Sequence, residues 1–135
     1  MRETMAFQII ILYRQFLAYT KQELKKLGLS FGLMPLVIYV GKHPNCTQAE
    51  LTKALRLDWG YSQRSVTRLT DAGFMTKECR EEGNCLALTE RGKQAFDVSH
   101  RVFEEWDERR MKDLTDHEKS TVTGLLKKIT GEKQF

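Results

Sequence analysis

Between Thr47 and Leu88 the spacing of apolar residues changes from helical to alternating, and few folds accommodate that order. Thr47-Gln48-Ala49-Glu50 is a capping box, in which the threonine caps the third helical amide and the glutamate reaches back to the threonine N–H. It predicts a helix from Thr47 to about Leu55 that buries Leu51 and Leu55. Arg56-Leu57-Asp58 is a tight turn, and Asp58 is a good cap for a further helix reaching about Ala72. Val66 and Leu69 face inward on that helix, and Gly73 closes it. The spacing then becomes that of strands. Residues 74–79 and 85–88 are short strand candidates, joined through 80–84 by a type I turn with Gly83 in the left-handed position. Two helices joined by a tight turn and followed at once by a hairpin form a helix-turn-helix with a wing.

The flanking segments read as helices. Residues 4–27 carry Phe7, Ile10, Ile11, Leu17 and Leu24 on one track, while Ile9, Leu12, Phe16 and Tyr19 widen the stripe beyond one face. Gly28 stops that helix after Lys25 and Lys26, cations well placed against its C-terminal dipole. A helix apolar on two sides must bury both, and a second copy of the chain is the expected cover. A second helix spans about 32–42 with Leu33, Leu36, Val37 and Val40 inward, Pro35 in its first turn, and Gly41 and Pro44 ending it. Thr89 caps a long helix over about 90–112 that includes Ala95, Val98, Val102 and Trp106. Thr115-Asp116-His117-Glu118 is a second capping box, opening a last helix with Val122, Leu125, Leu126 and Ile129. The fold class is therefore mostly α (α+β): a winged helix-turn-helix with a two-strand wing, plus N- and C-terminal dimerisation helices. The 135 residues contain no Gly/Ser-rich linker and fit one domain. Within 1–135, the reading unit is 31–92, and 1–30 and 93–135 are the dimerisation helices.

In this layout the second helix of the pair enters the major groove, and its start reaches the base edges. Here it presents Trp59, Gly60, Tyr61, Ser62, Gln63 and Arg64, then Thr67 and Arg68 one turn on. Gln and Arg can bond adenine or guanine edges with two hydrogen bonds, whereas Ser, Thr and Tyr hold phosphates. Thr47 and Gln48 at the start of the preceding helix, and Lys77 and Arg80 in the wing, complete the expected DNA-binding set. No Asp or Glu occurs between residues 59 and 70. The net charge of +4 points only weakly to nucleic acid, because the excess lies in residues 1–42, with six Lys/Arg against two Glu. Residues 43–92 balance at seven each, so DNA contact must rest on locally clustered arginines.

Four motifs in order and register extend this reading. Leu27-Gly28-Leu29-Ser30, Thr47-Gln48-Ala49-Glu50-Leu51, Gln63-Arg64 and Leu88-Thr89-Glu90-Arg91-Gly92 resemble the corresponding stretches of the MarR family of bacterial regulators. The resemblance covers nearly the whole chain. It implies a homodimer made by the first and last helices, a pseudo-palindromic DNA site, and a small phenolic or lipophilic ligand that loosens DNA binding. One departure stands out. The family carries Asp-x-Arg in the wing, and the matching positions here are Arg80 and Glu82, in reversed order.

Several residues admit other readings. Phe16, Phe31, Met34, Tyr39 and Trp59 are candidate lining for a ligand cavity between dimer core and reading heads, although such residues are more often simply core. Cys79 and Cys85 flank the hairpin turn and could face each other, and Cys46 falls where such folds place a short strand beside the wing. With His43 nearby, a thiol- or metal-responsive sensor is one alternative; a protein-binding winged helix is another. The absence of tight CxxC pairs counts against metal, and neither metal nor cofactor is expected. His100 and His117 are expected to be solvated. No phosphate-binding glycine loop, HExxH or nucleophile elbow is present, and Glu104-Glu105-Trp106-Asp107-Glu108 interleaves with arginines as a solvated helix face does. The expectation is a regulator and not an enzyme. The run Ile9-Ile10-Ile11-Leu12 is too short to span a bilayer, and three cysteines do not form a disulfide framework, so a cytoplasmic location is expected.

Overall fold

The computed structural model describes residues 3–131 apart from residue 82, with backbone alone at Cys79 and Arg80. Helix α1 (Met5–Leu27) begins at Thr4, whose hydroxyl accepts the Phe7 amide, and ends at Gly28, whose φ of 73° suits a residue without a Cβ. The chain bends by 88° between Leu27 and Phe31, and a 3-10 turn at Phe31–Leu33 leads into α2 (Met34–Lys42). Pro35 sits in the first turn of α2, where its missing N–H costs nothing. Leu36, Val37, Ile38, Tyr39 and Val40 are all buried, making α2 the central core helix.

Strand β1 (Cys46–Thr47) leads into α3 (Gln48–Ala54), and α4 (Trp59–Asp71) follows a turn in which Arg56 takes a φ of 53°. The capping box at Thr47 and Glu50 forms as the sequence predicts, with both reciprocal hydrogen bonds present. Strands β2 (Met75–Arg80) and β3 (Gly83–Leu88) make the wing. The sheet has three strands in the order β1-β3-β2, antiparallel throughout, so the expected two-strand wing gains β1 as a third. The hairpin is also tighter than expected. Pairing continues through Cys79 with Asn84 and Arg80 with Gly83, leaving residues 81 and 82 as the connection in place of the five-residue turn 80–84. Gly83 does carry a positive φ, at 113°.

Helices α5 (Glu90–Arg110) and α6 (Asp116–Thr130) complete the chain, each capped by the expected threonine. The core gathers Leu24 of α1, Met34 and Leu36 to Val40 of α2, Leu51, Val66 and Leu69 of the helix pair, Phe74, Met75 and Leu86 of the wing, and Ala95 of α5. Each buried Leu, Val, Ile, Met or Phe among them contributes about 1.5–3 kcal/mol by leaving water. Outside this core, α1 keeps Met5, Phe7, Ile9, Ile10, Leu12 and Tyr13 exposed, and α6 keeps Val122, Leu125, Leu126 and Ile129 exposed. No residue of α6 is buried. Among the described residues no single helix is long and apolar enough to cross a membrane.

Candidate nucleic-acid interface

The geometry of α4 follows from its pattern of side chains. Asp58 caps it by accepting the Tyr61 amide at 3.0 Å. Ser62, Ser65, Val66 and Leu69 turn inward, at positions separated by three or four residues. The intervening Gln63, Arg64, Thr67 and Arg68 are all exposed on the opposite face. Trp59 and Tyr61, 49% and 40% exposed, stand at the N-terminal end of the same helix, beside the half-buried Gly60. The outcome is one solvent-facing surface with two guanidinium groups, one amide and one hydroxyl, and no carboxylate from residue 59 to residue 70.

Two residues of the expected DNA-binding set are withdrawn from that surface. Ser62 is fully buried, its Oγ lying 2.6 Å from Thr52 Oγ1, which itself donates to the Gln48 carbonyl at 2.7 Å. This hydroxyl pair pins α4 to α3 and sets the angle of the helix pair, a role that the sequence reading missed. Gln48 is 3% exposed and faces the interior, because the first turn of α3 packs under the sheet. Thr47 is half-buried and occupied by its cap. Lys77 is exposed on β2. Arg80 lies opposite Gly83 at the wing tip, and its side chain, like residue 82, falls outside the described residues.

The register of the wing does not pair the two cysteines that could have faced each other across the hairpin. Cys85 pairs with Glu78 and Cys79 with Asn84, so the two cysteines stand one residue out of register. Cys46, opposite Leu86, and Cys85 are both buried. Burial pushes the Cys46 thiol from 9.0 up to about 11, with Glu50 adding to the rise, so it stays protonated at neutral pH. His43 stacks on Tyr39 at 4.4 Å, and His100 stacks on Phe96 at 4.4 Å, so His100 is not the solvated group expected. His117 is exposed. Among the described residues no three His, Cys, Asp or Glu side chains gather as metal ligands would.

The five expected cavity residues divide. Phe16 lines a cleft of about 420 Å³ between α1 and α5, with Ile9, Leu12, Phe103, Trp106 and Asp107. Burial raises the Asp107 carboxyl above its usual range. Phe31, whose ring meets that of Phe16 edge-on at 5.8 Å, lines a second cleft of about 380 Å³ with Leu17, Lys21, Lys25 and Leu29. Met34 and Tyr39 are core residues, 2% and 7% exposed, because α2 buries Met34 and every residue from Leu36 to Val40. Trp59 lines neither cleft.

A capped helix, a pinned second helix with an acid-free outer face, and a hairpin wing define a winged helix-turn-helix protein, the class that reads duplex DNA through the second helix. The chain is 38% identical over 137 residues to the HTH-type transcriptional regulator BilQ of Clostridium symbiosum, covering 99% of this chain and 95% of that one. Its fold matches a MarR protein from Peptoclostridium difficile with a TM-score of 0.88 at 21% identity, covering 97% of this chain and 88% of the other. It also matches a MarR-family regulator from Listeria monocytogenes in complex with 26mer DNA, with a TM-score of 0.84 at 21% identity and 99% of both chains covered. No sequence-family model matches the chain. The chain belongs to the family of HTH-type transcriptional regulators represented by BilQ, and its fold is that of the MarR proteins.

Proposed function

We propose that two copies of the chain occupy a pseudo-palindromic operator in the cytoplasm, lay their α4 helices in successive major grooves, and repress transcription. The carrying observation is the outer face of α4, where Gln63, Arg64, Thr67 and Arg68 are exposed together without a carboxylate among them. Arg64 and Gln63 are assigned to base edges, and Arg68, Thr67, Tyr61, Gly60, Trp59 and Lys77 to positioning on the backbone. The Listeria relative bound to 26mer DNA supports this mode of binding. Dimer formation is supported by α6, whose four large apolar side chains are 40–56% exposed in the single chain, and by the exposed apolar run on α1. The effector proposed for the protein is a small lipophilic or phenolic molecule. Leu17, Leu29 and Phe31 offer it an apolar surface, and Lys21 and Lys25 on the same cleft offer hydrogen-bond donors to its hydroxyl.

The deciding experiment is fluorescence anisotropy with the DNA upstream of the protein's own gene and a shuffled duplex of equal length. Both are measured at about 0.15 M salt, since phosphate-driven affinity varies steeply with salt. Specific recognition predicts a preference of about a thousandfold or more for the native fragment. Equal, weak binding to both duplexes would overturn the operator reading for that site.

A further inference from the structure

The first turn of α5 holds a side chain that joins two helix ends and the root of the wing. Arg91 donates from Nη2 to the Leu27 carbonyl at 3.0 Å and from Nη1 to the Ala72 carbonyl. Its guanidinium carbon lies 4.3 Å over the centre of the Phe74 ring. Leu27 is the last residue of α1, Ala72 caps α4, and Phe74 enters β2. Carbonyls at helix ends have no partner within their own helix. A planar fork with donors fixed in direction can take two of them at once and hold them at a set separation.

The surrounding backbone is fitted to this node. Thr89 donates its amide to the Phe74 carbonyl at 3.1 Å and its hydroxyl to the Gly73 carbonyl. A Cβ at Gly92 would strike the Phe74 carbonyl oxygen, and one at Gly28 would lie 2.9 Å from Arg91 Nη2. Thus α1, α4, β2 and α5 converge where backbone meets guanidinium, with little flexible side chain between them.

The reach of α4 makes this convergence matter. Its exposed start lies about 18 Å from Ala72 at 1.5 Å per residue, so a tilt of about 10° at the node moves the start by about 3 Å. That is close to the rise of one base pair, about 3.4 Å. Resting on the dimeric operator reading above, we propose that Arg91 is a positioning residue that fixes the angle between α1 and α4, and thereby the half-site spacing the dimer accepts. Arg91 touches no DNA in this account; it acts through the two helix ends it ties.

The test compares wild type, Arg91→Lys and Arg91→Met on the operator fragment and on versions with one or two base pairs inserted or deleted at its centre. Anisotropy gives the affinities, and circular dichroism confirms the folded state and melting temperature. Wild type should lose about tenfold or more for each base pair of altered spacing. In Arg91→Met, binding at the native spacing should weaken and the discrimination should fall below about threefold, with Arg91→Lys between the two. Uniform weakening at every spacing, with the wild-type preference kept, would overturn the proposal and leave Arg91 as a helix cap. A wild type that binds every spacing alike defeats the two-groove reading instead, and this proposal falls with it. Should Arg91→Met fail to fold, Arg91→Lys, which keeps the charge and a donor, decides the question.

Discussion

Ser62 and Arg64 are two positions apart on α4 and have opposite environments: one hydroxyl is sealed beneath the helix, and the guanidinium residue is open to solvent. Ser62→Ala should cost about 1–2 kcal/mol by chemical denaturation, since Thr52 loses a buried partner. Adding Thr52→Val should recover part of that loss, because both ends of the bond become apolar; no recovery would mean that the pair is not a closed unit. Arg64→Ala should leave stability unchanged and cost about 1–3 kcal/mol in operator affinity, relaxing preference at one base position. Equal weakening on all sequences would move Arg64 to a phosphate. Cys46 predicts a pH effect. Its folded pKa is raised to about 11, so the unfolded chain releases the thiol proton first as pH climbs past 9.0. Stability is therefore intact below about pH 9 and lost progressively up to about pH 11, by about 2–3 kcal/mol. Cys46→Val should flatten that decline, and a slope unchanged by the substitution would assign the decline to other groups.

Among the elements, α6 makes the sharpest statement. Its capping box is complete, with Thr115 accepting the Glu118 amide at 3.1 Å and Glu118 accepting the Thr115 amide at 2.9 Å. Yet 15 residues of helix are marginal alone in water, whatever their caps. Its apolar stripe therefore needs a cover that the described residues do not provide. Leu125→Glu with Ile129→Glu should halve the mass seen by sedimentation and reduce helicity together. An unchanged mass would place the dimer contact elsewhere. The hairpin teaches a different point about elements. Its register runs on past the apolar alternation into Asn84 and Arg80, where backbone pairing alone extends the ladder. A reading based on apolar spacing stops at the last apolar pair, and so it drew the turn too long and left open a pairing of Cys79 with Cys85.

For the whole molecule, a dimer whose folding depends on association must melt at a temperature that rises with concentration. A tenfold increase in protein adds about 1.4 kcal/mol per dimer. For a chain of this length that corresponds to a rise in melting temperature of about 2 °C. A midpoint independent of concentration would show that the single chain carries its own stability and that α6 is covered some other way.

The order of elements, their caps and the inward faces of α2 and α4 were legible in the sequence, because each depends on neighbours three or four residues away. Thr47, Asp58, Thr89 and Thr115 all cap the helices they were expected to cap. The outer face of α4 was legible for the same reason, as the complement of its buried one. What only the tertiary structure decided involves residues distant along the chain: the burial of Gln48, the joining of Ser62 to Thr52, and the division of the five aromatic and apolar cavity candidates. Arg91 belongs with these. The sequence shows it only as part of Leu88-Thr89-Glu90-Arg91-Gly92, and its partners at Leu27 and Ala72 come within reach only when α1 and α4 end at the same place. Local spacing carries periodicity and caps, whereas hydrogen bonds between helix ends depend on where packing brings those ends.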